Sequence, residues 1–160
     1  MKTDTTCWQG LMDSAYDKWG ISKQTGKSWG YRQFLNNLDA VERKAVVLGN
    51  FHYQTCNGGL QQWVDNGYAS DSGKDLLAVL DEMGTENSRE LSGIVRSVLK
   101  NVDMTQDNRG FGGDYWLEPW EEDEQPSWMA EIDELTDLYY VFYERWVPEV
   151  EGFLAELTER

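Results

Sequence analysis

Residues 127–146 read SWMAEIDELTDLYYVFYERW, and the apolar residues inside this stretch set the fold class. Trp128, Ile132, Leu135, Tyr139, Phe142 and Trp146 recur at steps of four, three, four, three and four residues. An α-helix turns once per about 3.6 residues, so these six side chains form one seam and the rest of the stretch faces away from it. Ser127, just after Pro126, can cap this helix. Pro148 stops or kinks it, because proline has no amide hydrogen and its ring crowds the preceding turn. A last short helix is expected over 149–158.

The same spacing recurs upstream. Trp8, Leu11, Met12, Ala15 and Trp19 predict a first helix ending near Gly20, followed by a loop over 21–30. Tyr31, Phe34, Leu35 and Leu38 fit a short second helix. Asp39, three residues before Glu42, has the spacing of a reciprocal N-cap. Val41, Ala45, Leu48 and His52 then share one face of a helix ending near Cys56. Asn57-Gly58-Gly59 breaks that helix, and 60–66 makes a helical turn closed by Gly67. Leu76, Leu77, Leu80 and Met83 form another apolar face, ended by Gly84. Thr85 can cap the next helix, with Leu91, Ile94, Val95, Val98 and Leu99 turned inward. Alternating β-branched runs are scarce. The expected fold is therefore all-α, a compact single-domain bundle of about six to eight helices over residues 1–160. A long acidic loop, 101–127, rich in Gly, Pro and Trp, precedes the C-terminal helices.

Charge is the outlying property of the composition. The chain has 14 Lys+Arg against 29 Asp+Glu, a net charge of −15. Such a surface repels nucleic acid and acidic membranes and steers toward basic partners. Its distribution says more than its total. Residues 114–160 contain 15 acidic side chains and only two basic ones, Arg145 and Arg160, whereas residues 1–113 are close to neutral. Solubility alone would be served by acids spread everywhere. Glu131, Glu134, Asp137 and Glu144 fall away from the apolar seam of the 127–146 helix. Glu118, Glu121, Glu122, Asp123 and Glu124 stand in the loop, interleaved with Trp116 and Trp120, residue types that anchor interfaces. Carboxylates three or four apart on a helix are about 4.5–6 Å apart along its axis, sparser than the charge per ~1.7 Å of duplex DNA. The stripe together with the acidic loop, or with its copy across a dimer, comes closer to that density.

Little in the sequence supports catalysis, and no enzyme activity is expected. His52, the one histidine, precedes Cys56 by four residues; these are two candidate metal ligands or, more plainly, a packed pair, and no metal or cofactor is expected. Gly110–Gly113 follows no strand and lacks the phosphate-loop lysine. Two cysteines make no disulfide framework, residues 1–10 are polar, and no run reaches the ~18 apolar residues of a membrane helix, so a cytoplasmic protein is expected.

The stretch 51–66, FHYQTCNGGLQQWVDN, resembles the hallmark of the neisserial DNA-mimic protein family: a helix end, Asn-Gly-Gly, an apolar residue, Gln and an aromatic, then Asn. Asn57, Gly58, Gly59, Leu60, Gln62, Trp63 and Asn66 match it. The two following helices fit the family's usual sequel, and residues 133–140, DELTDLYY, look like its C-terminal helix. The likeness covers residues 30–155, with 101–127 poorly matched, and Cys56 stands where an acid often precedes the glycines. The resemblance implies an α-helical, often homodimeric fold. It also implies carboxylates arranged like DNA, which occupy the DNA-binding face of a transcription factor. Asn57, Gly58, Gly59, Gln62, Trp63 and Asn66 are expected to be structural, with Asn57 bonding nearby backbone. Function is expected in the surface acids named above, with Trp116 and Trp120. Their partner would be a basic nucleic-acid-binding protein, such as a repressor or a restriction or CRISPR defence component, with no direct binding of nucleic acid. The alternative is a non-mimic interaction or immunity-type module with an apolar groove around Trp63 and Tyr68.

Overall fold

A computed structural model describes residues 6–26, 29–104 and 127–160. These residues form six α-helices and no strand: α1 (Cys7–Gln24), α2 (Tyr31–Asn36), α3 (Ala40–Asp65), α4 (Tyr68–Met83), α5 (Glu86–Met104) and α6 (Ser127–Thr158). The fold is all-α, as the periodicity predicts. The expected 101–127 loop falls largely outside the described residues, although its first residues, to Met104, belong to α5. No described helix is long and apolar enough to cross a membrane.

Helix α3 is the axis of the molecule. It packs against α1, α4 and α6, and α5 closes the ring by packing against α4 and α6. The core draws on every helix, with Trp8, Phe34, Phe51, Trp63, Leu80, Val95, Tyr139 and Trp146 all buried. Large side chains of this kind contribute about 1.5–3 kcal/mol each on burial. Gly49 inside α3 is explained by contact with α1. A Cβ there would meet the Met12 sulfur at 2.3 Å, and Trp8 reaches past it to donate from Nε1 to the Ala45 carbonyl at 2.9 Å.

The caps match expectation in part. The Asp39 carboxylate accepts from the Glu42 amide at 2.8 Å, and Thr85 Oγ1 accepts from the Ser88 amide at 3.0 Å. The Glu42 side chain does not return the bond to Asp39. It is buried against α1, where Ser14 donates to it and Lys18 pairs with it, because a buried carboxylate needs a cation more than an exposed cap needs a second bond.

Three helix boundaries differ from expectation. Helix α1 continues past Gly20 to Gln24, with Ser22 buried and donating to the Trp19 carbonyl at 2.7 Å. Helix α4 begins at Tyr68 rather than near Leu76. Its first turns bury Ala69, Ser72 and Gly73, small residues that let α5 approach; a Cβ on Gly73 would lie 2.6 Å from a Leu99 methyl. Helix α6 runs unbroken through Pro148 to Thr158. The buried seam continues there through Trp146, Val150 and Leu154, and that burial outweighs the ~3 kcal/mol cost of an interior proline.

Candidate functional site

Because the seam of α6 from Ile132 to Trp146 lies in the core, the opposite side of the helix is turned to solvent. Glu131, Glu134, Asp137 and Glu144 are all exposed, as is Asp133 beside them. The first three follow at about 4.5 Å steps along the axis, and Glu144 lies ~10 Å beyond Asp137. The ion pairs among the described residues are Lys18–Glu42, Arg32–Asp75 and Lys44–Glu82, so none of them neutralises this face. Arg145 shares the end of the stripe and lies over the Phe142 ring, 5.4 Å from its centre. Glu118, Glu121, Glu122, Asp123, Glu124, Trp116 and Trp120 lie outside the described residues.

Two other acids of α6 face inward for structural reasons. Glu149 accepts from Thr85 Oγ1 and Asn87 Nδ2, both at 2.8 Å, tying α6 to the start of α5. Glu151 accepts from the Cys7 and Trp8 amides, the latter at 3.0 Å, at the first turn of α1.

Sequence reasoning missed two members of the outward face. Leu138 is 57% exposed and Val141 80%, between Asp137 and Glu144. Their signal was legible, since both fall off the four-three seam and so cannot reach the core. With Leu135, Phe142 and Ile94 they line a groove of about 360 Å³ between α5 and α6, edged by Glu90 and Arg145.

The Asn-Gly-Gly segment sits at the break in α3. Gly58 and Gly59 leave helical geometry there, and Gly59 takes φ +75°, a conformation open to glycine but strained for other residues. Thr136 of α6 fills the notch: its Oγ1 accepts from the Leu60 amide at 3.0 Å and donates to the Ile132 carbonyl at 2.9 Å. Asn57 does not bond to backbone as expected; its amide donates to Gln62 Oε1 at 3.0 Å. Gln62 and Asn66 both donate to Gln54 Oε1 at 2.8 Å, so four side-chain amides bridge the break. The break needs these links because it interrupts the backbone ladder. Trp63 is 1% exposed, its ring edge-on to Phe51 at 5.0 Å. That removes it as a groove anchor: the apolar groove expected around Trp63 and Tyr68 is instead core, and Tyr68 is packed edge-on against Tyr31.

The described residues contain no cluster of three or more His, Cys, Asp or Glu arranged to hold a metal. His52 Nδ1 lies 2.7 Å from the Tyr139 hydroxyl and 3.7 Å from Cys56 Sγ. Burial pushes the His52 pKa down and the Cys56 thiol up. Both shifts favour the neutral forms, the opposite of an activated thiolate beside an imidazolium.

A family model described as DMP19-like protein matches residues 36–156. The chain belongs to the DMP19-like protein family. Membership agrees with the likeness to DNA mimics at the level of the family. The DMP19-like match runs from the end of α2 to the last turn of α6, taking in the α3 break and the acidic face, and leaves α1 outside. No curated protein and no solved structure matches the chain.

Proposed function

We propose that this DMP19-like chain is a DNA mimic, an inhibitor that occupies the basic nucleic-acid-binding face of another protein. The observation that carries the reading is the outward side of α6, where Glu131, Glu134, Asp137 and Glu144 stand exposed and outside the described ion pairs. Glu118, Glu121, Glu122, Asp123 and Glu124, with Trp116 and Trp120, are the further partner-binding residues of the proposal. The mechanism is competition. Lysines and arginines that otherwise contact phosphates pair with these carboxylates, and no cofactor takes part. The partner is a transcription factor or a component of a restriction or CRISPR defence system, and the complex forms in the cytoplasm.

The test is capture of the partner from the native host at low salt, followed by competition with duplex DNA. Affinity for this chain is expected to fall at least ~10-fold between 50 and 300 mM salt, because screening weakens exposed charges. Replacing Glu131, Glu134 and Glu144 by Gln and Asp137 by Asn is expected to weaken binding by a similar factor without lowering the melting temperature. A partner that binds DNA and this chain together, or unchanged affinity after the fourfold substitution, overturns the reading.

A further inference from the structure

We infer that Arg96 and Lys100 on α5 are specificity-determining residues of the acidic face: they admit a partner whose basic surface is bordered by acidic side chains and turn away one that is basic throughout. This rests on the acidic-face reading above and names the partner chemistry that the face selects.

The placement of the two helices carries it. Glu149 of α6 bonds to Thr85 and Asn87 at the start of α5, whereas residues 90–97 of α5 share a groove with residues 135–145 of α6. Position therefore rises along α5 as it falls along α6, and the two helices lie antiparallel. Counting back from Glu149 at about 1.5 Å per residue sets Arg96 level with about residues 138–140 and Lys100 with about 134–136. Both cations are exposed, and neither belongs to the ion pairs among the described residues. Across the groove stand Glu131, Glu134 and Asp137, also exposed and outside those pairs. This end of the groove is thus sorted by sign, basic on α5 and acidic on α6. The other end is mixed: Glu86 and Glu90 alternate with Arg89, and Arg145 follows Glu144.

Packed helices lie about 8–10 Å apart, close to one Debye length at physiological salt. Whatever binds the α6 carboxylates is therefore within reach of Arg96 and Lys100. Duplex DNA carries no such cations, since both strands are anionic, so these two side chains are where the surface departs from DNA. A partner that is basic on every side meets like charge there and loses affinity. A partner with Asp or Glu beside its basic patch gains a second set of contacts.

The test uses two helical peptides with the same number of lysines, binding to the full chain in ~50 mM salt by fluorescence anisotropy. One carries lysine on every side; the other carries lysine along one side and glutamate along the next. Arg96→Gln with Lys100→Gln is expected to tighten the first about threefold and to weaken the second about threefold, the size of a few screened charge pairs at that spacing. Lys23→Gln with Arg160→Gln removes two charges away from α5 and is expected to change neither affinity by more than about 1.5-fold. Glu131→Gln, Glu134→Gln and Asp137→Asn together are expected to weaken both peptides. Affinities that ignore the α5 variant, move together in it, or move as far in the Lys23 and Arg160 variant overturn the selectivity and leave the acidic face standing. Binding of neither peptide, or binding that ignores the carboxylate variant, overturns the acidic face and this inference with it. A dimer in sedimentation that Arg96→Gln with Lys100→Gln dissociates makes a second copy the occupant of both helices and overturns the selectivity.

Discussion

Asp65 stands in the last turn of α3, 2% exposed, with Gln61 Nε2 donating to its two oxygens at 2.9 and 3.0 Å. Burial pushes its pKa up to about 6, and the Gln61 bond only partly opposes the shift. The folded chain therefore holds this proton to about pH 6, while an ordinary aspartate releases it near 3.8. Between those values the folded state binds more protons, so the Asp65 contribution to stability falls as pH rises and is constant above the window. Asp65→Asn is expected to be more stable than the parent at pH 7.5, by on the order of 1–3 kcal/mol, with the gap shrinking toward pH 4. Urea midpoints at the two pH values check it, and a gap independent of pH rejects it. Nothing in the sequence separates Asp65 from the other acids, because its neighbours Val64 and Asn66 suit a surface turn as well as a core. The Asn-Gly-Gly turn was legible for the opposite reason: glycine pairs announce a backbone that leaves the helix. What fills the notch, Thr136, lies 76 residues from Leu60 and leaves no local trace.

At the scale of elements, α6 serves two ends of the molecule. The stretch from Glu131 to Glu144 presents the outward acids, and the last turns hold Glu151 against the Cys7 and Trp8 amides. A carboxylate at a helix start satisfies otherwise unpaired amides and opposes the helix dipole. Glu151→Ala is expected to destabilise the protein by about 1–2 kcal/mol and to speed hydrogen exchange in the first turn of α1. Exchange unchanged at Cys7 and Trp8 would remove the link. Helix positions were legible wherever large apolar residues kept the 3.6-residue period, as in α5 and the first half of α6. They were hidden where the buried face is small, as at Ala69, Ser72 and Gly73, because a face read by bulk disappears when close packing selects its absence. Pro148 misled for a related reason, since a local breaker signal carries no information about the Val150 and Leu154 burial that overrides it.

For the whole molecule, the net charge of −15 opposes compaction while it attracts a basic partner. Added salt should therefore act with opposite signs on the two properties. Between 20 and 300 mM NaCl the melting temperature is expected to rise by a few degrees, on the order of 1 kcal/mol, as partner affinity falls. A melting temperature that falls with salt would mean that ion pairs outweigh repulsion in the fold. The concentration of charge in the last third was plain in the sequence. Its sorting was not: Glu149 and Glu151 are spent on Thr85, Asn87 and α1, while Glu131 to Glu144 point outward, and only the packing of the helices decides which is which. The Glu151 contact also has a temporal meaning. On the ribosome the residues of α1 emerge before those of α6, and the carboxylate that completes the opening turn of α1 is made 143 residues after Trp8. The opening turn of α1 is thus completed only when α6 is in place, although its packing on α3, through Trp8 and Met12, does not wait for it.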